Sequence, residues 1–346
     1  MSNLQIGLAI AGGAVLAAVV AHGAWNSRKN APRQAQPEAP GDVTAVEARE
    51  PTLTPTDQHN GAFLLPTVAR RPNMDSLIDV IATIALDGQA TMVSGEAALA
   101  AMPTTRRAGS KPFAIEGYNL QSLVWEPPHA GQRYGGFQAG VQLANRSGAL
   151  NEIEYSEFVV KTQAFSDAIN ATPEFPEMLE EVARARELDQ FASAHDAQLG
   201  FTIRARNASW SPGYIHQTAA RLGFVAGVIP GRMVLPASEE GMAPVLVLSF
   251  DSQAALAEDP AQSAIRDIAL HLDVPQVDRA EQPFERMREA ATSLASAMDG
   301  VVTDDNGQLL AAQTMDIIGT ELQILYDTLE HRDLAAGSML ARRLFS

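Results

Sequence analysis

The feature that most constrains this chain is its first stretch. From Met1 to Ser27 no side chain carries a fixed charge, and Leu4 to Trp25 (LQIGLAIAGGAVLAAVVAHGAW) is rich in Leu, Ile, Val and Ala. Twenty-two residues rising ~1.5 Å each span about 33 Å, close to the roughly 30 Å hydrocarbon core of a bilayer. Residues 4–25 are therefore expected to form a single transmembrane helix, with residues 1–3 as a short extracytoplasmic tail. Trp25 stands where an interfacial aromatic belongs, and Arg28, Lys29 and Arg33 follow at once. The positive-inside rule then puts the body in the cytoplasm and the N-terminus in the periplasm. A cleaved signal peptide is the competing reading, with Ala21-His22-Gly23 as its cleavage site. That reading lacks a basic n-region, and the basic cluster lies on the wrong side of the apolar run.

Residues 26–73 follow as a Pro-rich flexible linker, with Pro32, Pro37, Pro40, Pro51, Pro55, Pro66 and Pro72 among Gln, Glu, Ala and Thr. A stretch such as APRQAQPEAPGD has little to bury and works as a tether. Its reach as a flexible coil is on the order of 35–40 Å.

Composition narrows what the body can do. The net charge of −16 speaks against nucleic-acid binding, because phosphate contacts need clustered Lys and Arg. The absence of cysteine removes disulfides, thiolate nucleophiles, iron–sulfur clusters and Cys-zinc sites. Within the body, period-2 alternation marks strands at Ile78–Leu86, Phe113–Tyr118, Phe137–Leu143 and Ile153–Lys161. A short helix opens at Ser94, and Phe175, Met178, Val182, Ala185 and Leu188 outline a longer one.

A second set follows. Strands are expected at Leu199–Ile203, Val225–Leu235, Pro244–Phe250 and Ile265–Val274. Helices are expected from Ser211-Pro212 to Leu222, along Phe284–Met298 and along Met315–Leu329, with a hairpin turning at Asn306-Gly307. The fold class is α+β with mostly antiparallel sheet, helices packing on one face. The order β-α-β-β-β-α appears twice, which suits either a duplication or two halves of one extended sheet. Residues 74–196 form an α+β extension and first candidate copy, 197–332 the second, and 333–346 a C-terminal tail.

No catalytic constellation stands out. The seven histidines, His22, His59, His129, His195, His216, His271 and His331, never fall within four residues of one another. There is no HExxH, GxSxG, phosphate loop or dinucleotide fingerprint. No cofactor and no metal is expected. A membrane-bound enzyme would need several of Asp251, His271, Asp273 and Glu281 to meet in one deep pocket.

One whole-chain pattern is familiar. An N-terminal run ending AHGAWNSRK precedes a Pro/Gln-containing tether, and RLGFVAG, LHLDVP and DGVVTDDNGQLL then occur in that order before a last helix. Residues 1–40 and about 197–330 in this respect resemble the ZipA family of bacterial division proteins. The resemblance implies a split β-α-β fold and a non-enzymatic role. Such a protein anchors and stabilises FtsZ filaments of the Z ring at the inner membrane by binding the FtsZ C-terminal tail. In the family that tail lies on an exposed apolar sheet face. Carried over strand by strand, the groove would hold Ile229, Leu246, Leu248, Phe250, Ala269 and His271, with Thr202 and Arg204 beside it and Arg204 reaching an acidic tail residue. Two departures stand out: a short linker, and residues 74–195, which suit a second copy, a structural extension or a dock for another division protein. An exported or membrane-tethered envelope scaffold with a different protein partner is the alternative.

Overall fold

A computed structural model of the protein describes residues 32–35, 74–86, 92–259 and 262–346. The expected membrane helix at 4–25, with Trp25, Arg28 and Lys29, lies outside the described residues, as does most of the linker. Among the described residues no helix is long and apolar enough to cross a membrane. The chain forms two units, one holding residues 74–196 with 339–346 and the other holding 32–35 with 197–338.

The N-terminal unit runs β1 (Asp79–Leu86), β2 (Val93–Ser94), α1 (Gly95–Ala101), β3 (Arg107–Ala108), β4 (Lys111–Asn119), β5 (Trp125–Glu126), β6 (Arg133–Gln142), β7 (Ala144–Asn145), β8 (Gly148–Ala149), α2 (Glu152–Ala168), β9 (Ala171–Glu174) and α3 (Met178–His195). Its antiparallel sheet has the order β3-β4-β6-β1-β9. One row of side chains on each strand is buried: Val80, Ala82 and Ile84 on β1, Phe137, Ala139 and Val141 on β6, Phe113 and Ile115 on β4. This row meets α2, where Phe158 stands edge-on to Phe113 at 6.0 Å and Phe165 edge-on to Phe137 at 5.3 Å.

That helix corrects an expectation. Ile153–Lys161 alternates like a strand but is the first half of α2. A capping box decides it: Asn151 accepts from the Glu154 backbone, and the Glu154 carboxylate reaches back to the Asn151 N–H. Tyr155, Phe158, Thr162 and Phe165 then recur at helical spacing on the buried side, while Ile153 and Val160 are left in solvent.

The C-terminal unit runs β10 (Gln198–Ala205), α4 (Pro212–Ala220), β11 (Val225–Ala226), β12 (Arg232–Leu235), β13 (Leu246–Ser249), α5 (Ser252–Ala255), β14 (Asp267–Asp273), α6 (Pro283–Met298), β15 (Gly300–Thr303) and α7 (Ala312–Glu330). Its sheet is antiparallel in the order β11-β12-β13-β14-β10-β15. The stretch 225–235, expected as one strand, is a hairpin, because Gly231 adopts φ +77° and turns the chain. A Cβ there would stand 2.6 Å from the Phe250 carbonyl oxygen, so only glycine fits. Serine 211 caps α4, with Pro212 at its first turn.

The last helix, α8 (Met339–Leu344), belongs to the N-terminal unit. Residues 333–346 are thus not simply a tail: Arg343 grips the buried Asp79 carboxylate through two bonds of 2.5 and 2.9 Å.

The two sheets share one plan. Strands β3-β4-β6-β1-β9 and β12-β13-β14-β10-β15 are paired in the same order and sense. In each unit a helix comes early, after β10 in one and after β1 and the short β2 in the other, another precedes the last strand, and a third follows it.

Candidate peptide-binding interface

In the C-terminal unit the two faces of the sheet differ sharply. Phe201, Ile203 and Ala205 of β10, Ile268, Leu270 and Leu272 of β14, Leu246 and Leu248 of β13, and Met233 and Leu235 of β12 are all buried. They face the helices, as the contact of Phe201 with Phe284 of α6 at 6.2 Å shows. The alternate residues of the same strands form the other face, and all of them retain solvent contact. Paired residues of neighbouring strands share a face, so the register orders this surface into rows. One row runs Val225, Val234, Val247, His271, Gly200. The next runs Arg232, Ser249, Ala269, Thr202, Thr303, and a third pairs Asp267, Arg204 and Val301.

The first row is an apolar stripe on an open sheet. Val225 is half exposed, and Ile229 and Val228 of the following turn extend apolar surface beyond it. At the other end Gly200 leaves room for a carboxylate, since a Cβ there would lie 2.9 Å from Asp305 Oδ1. The imidazole of His271 meets the Ser249 hydroxyl at 3.0 Å. Its neighbours crowd it, and desolvation pushes its pKa below the ordinary histidine value; Asp305 opposes that shift and Arg232 adds to it. Arg204 binds Asp267 through Nε at 2.7 Å, an exposed ion pair at the stripe's flank.

The expected site residues divide between the faces. Ala269, His271, Thr202 and Arg204 lie on the open face and Ile229 in the turn beside it. Leu246 and Leu248 do not: both are fully buried on the helix side. Phe250 follows them there, packed edge-on against His216 of α4 at 5.6 Å, its own N–H held by the Gly231 carbonyl. Neither helix-side leucine nor Phe250 can touch a ligand on the other face. Sequence reasoning missed Val225, Val234 and Val247, though the signal was present. Once Leu246 and Leu248 are core, period-2 alternation places Val247 opposite them.

Arg33 also departs from expectation. Expected in a free linker as a topology-setting charge, it lies docked in the C-terminal unit, joined to Asp299 at 3.1 Å.

Of the residues named for a catalytic cluster, Asp251 caps α5, His271 and Asp273 lie on β14, and Glu281 binds Ser238 and Arg286. Among the described residues no group of three or more His, Asp or Glu is arranged to hold a metal ion.

Residues 249–321 match the family model of the ZipA C-terminal FtsZ-binding domain. The matched stretch begins at the last residue of β13 and runs through β14, α6 and β15 into α7. It lies wholly within the C-terminal unit, whose sheet also carries the apolar stripe; Val225, Val234 and Val247 precede the matched residues. No curated protein matches the chain.

In the N-terminal unit the corresponding face is different. Strands β4, β6 and β1 occupy the places of β13, β14 and β10. They carry Glu116, which is buried, and the half-buried Gln138, joined side chain to side chain at 2.8 Å. Met74 lies over Gly140, where a Cβ would come within 2.7 Å of its sulfur.

Proposed function

We propose that the ZipA-type domain binds the C-terminal tail of FtsZ along the stripe Val225–Val234–Val247, and that this binding tethers the Z ring to the inner membrane. Two observations support the reading together: the family match over residues 249–321 and the uncovered apolar row in the same domain. An extended tail lying over β12, β13 and β14 would bury the valines, with Ala269 leaving room and Ile229 closing the end. Arg204 and Arg232 flank the stripe, and charged groups at a rim set register and partner choice more than affinity.

In this proposal residues 4–25 form a single-pass anchor with Trp25, Arg28 and Lys29 at its inner boundary, and the body lies in the cytoplasm at the division site. The lipid bilayer is then the second partner. The N-terminal unit is a diverged copy of the same plan that does not take the tail, because its corresponding face is already covered: Glu116 is buried and bonded to Gln138, and Met74 lies over Gly140.

Titration of a labelled FtsZ tail peptide against the full chain tests the binding claim; loss with Val247→Asp and retention with a substitution on the N-terminal unit's face is the expected result. A reporter active only outside the cytoplasm, fused after Ser346, tests the topology. Activity there would overturn the cytoplasmic placement.

A further inference from the structure

We infer that the ZipA-type domain carries a second peptide site, built by Asn207, Ser209–Ser211 and Asp299, and that the chain's own segment Pro32–Ala35 occupies it. Arg33 enters as a one-residue strand. Its N–H donates to the Ser209 carbonyl at 2.7 Å, and its carbonyl accepts from the Ser211 N–H at 2.9 Å. This forms a parallel bridge to Trp210. On the other side Trp210 is already paired, through its N–H at 2.8 Å and its carbonyl at 2.9 Å, with Ile265. The three-residue segment 209–211 is thus a short strand with Ile265 on one edge and Arg33 on the other.

The groups that receive the peptide are fixed in advance. Trp210 is fully buried, and its indole N–H donates to the Met298 carbonyl at 2.8 Å. The Asp299 carboxylate is held by Asn207 Nδ2 at 3.1 Å, on the same oxygen that takes Arg33 Nη2 at 3.1 Å. Ala35 lies against Gly213, close enough that a Cβ there would be in van der Waals contact with its own at 3.7 Å. Pro32 has no N–H to leave unpaired on the outer edge. The site therefore selects an extended Pro-Arg segment, with backbone bonds giving hold and the carboxylate reading the guanidinium.

The consequence is a divided linker. With Arg33 clipped, seven residues separate it from Trp25, and the eight steps between them, at roughly 3.3–3.6 Å each, reach at most about 29 Å. The FtsZ-binding domain then hangs on a short leash, while the linker beyond Ala35 spans from the clip to the N-terminal unit. The leash length rests on the membrane reading given above; the clip does not.

Hydrogen exchange on the full chain reads the clip directly. The Ser211 amide is expected to exchange at least tenfold faster in Arg33→Glu and in a deletion of residues 32–35, with unchanged thermal unfolding. Exchange unaltered in both would overturn the clip. Tryptic cleavage after Arg33 should quicken several-fold in Asp299→Asn, and an unchanged rate there would remove the carboxylate's part. The leash is read by energy transfer from a dye on Glu258→Cys, in a chain that has no other cysteine, to labelled lipid in vesicles. Twenty Gly/Ser residues inserted between Arg28 and Lys29 should lower transfer, and the same insert between Pro40 and Gly41 should not. Equal loss from both inserts would overturn the divided linker. Absence of transfer in every variant would fall on the membrane reading, leaving the exchange result to decide the clip.

Discussion

Val247 and Phe250 lie three residues apart, and charging each should produce opposite failures. Val247 lies on the open face, between Val234 and His271. An Asp there keeps its carboxylate in water, so the cost to folding should stay within roughly 1 kcal/mol. The cost to tail binding is that of an anchor at the centre of an interface, about 2 kcal/mol or more, which is roughly a 30-fold loss of affinity. Phe250 is 9% exposed and stacked edge-on against His216. Removing a buried phenyl costs about 3–5 kcal/mol, and a carboxylate in its place adds the penalty of an unpaired charge. The total approaches the whole stability of an ordinary domain, about 5–15 kcal/mol. Phe250→Asp should therefore abolish binding by unfolding the C-terminal unit, and Val247→Asp should weaken it roughly 30-fold in a folded chain. The assay pairs tail-peptide fluorescence anisotropy with thermal unfolding on the same samples. A folded Phe250→Asp chain that fails to bind would refute the face assignment, as would a Val247→Asp chain that binds normally.

Replacing Arg343 by Leu leaves the Asp79 carboxylate buried with the Asp75 N–H but no cation; the N-terminal unit should lose about 3–5 kcal/mol, read by urea unfolding, while Asp79→Asn in the same chain should recover part of it. Gly231→Ala meets both a positive φ and the Phe250 carbonyl, so a loss of about 1–3 kcal/mol or more is expected in denaturant titration, and tail binding should weaken as the β11–β12 hairpin shifts. Desolvation depresses the pKa of both His216 and His271 in the folded state. A base with a lowered folded pKa binds fewer protons than its unfolded form, so stability rises with pH. Stability should be full above the ordinary imidazole value, about 6.5, and fall as the pH drops through and below it; a His216→Gln, His271→Gln chain should show a flatter profile between pH 7.5 and 5 in urea titrations.

Much of the fold was legible because the signals were local. Ser94 and Ser211 each cap the helix that follows them, and the buried rows of β10 and β14 follow the alternation seen in the sequence. The misses have physical causes. In 153–161 short-range alternation competed with the capping box at Asn151–Glu154, and the packing of Phe158 and Phe165 on the sheet settled it as helix. For the site, large apolar residues drew attention to Leu246, Leu248 and Phe250, yet size marks the core face as readily as a binding face. The smaller valines on the alternate positions carry the open surface. Pairings such as Arg343 with Asp79 or Arg33 with Asp299 join residues more than 260 apart, and no periodicity reports them.

The order of the chain adds a constraint that neither unit shows alone. The N-terminal unit is discontinuous: residues 74–196 and 339–346 belong to it, and 197–338 lie between them in sequence. The C-terminal unit is therefore joined to the other unit at both ends of residues 197–338, through the step from α3 to β10 and through the return to α8. The second connection runs through α8, which is held by the Arg343–Asp79 pair, by the Gln142 side chain on the Arg343 carbonyl, and by the buried Ala341, Leu344 and Phe345. Cutting the chain before Met339, or removing the guanidinium, should leave the sheet bearing Val225, Val234 and Val247 intact, because none of its strands touches that pair in sequence or register. Tail affinity measured on the isolated chain should then be unchanged while the N-terminal unit loses stability. A parallel fall in affinity would show that the two copies of this plan act as one body rather than as a binding domain set within a supporting one.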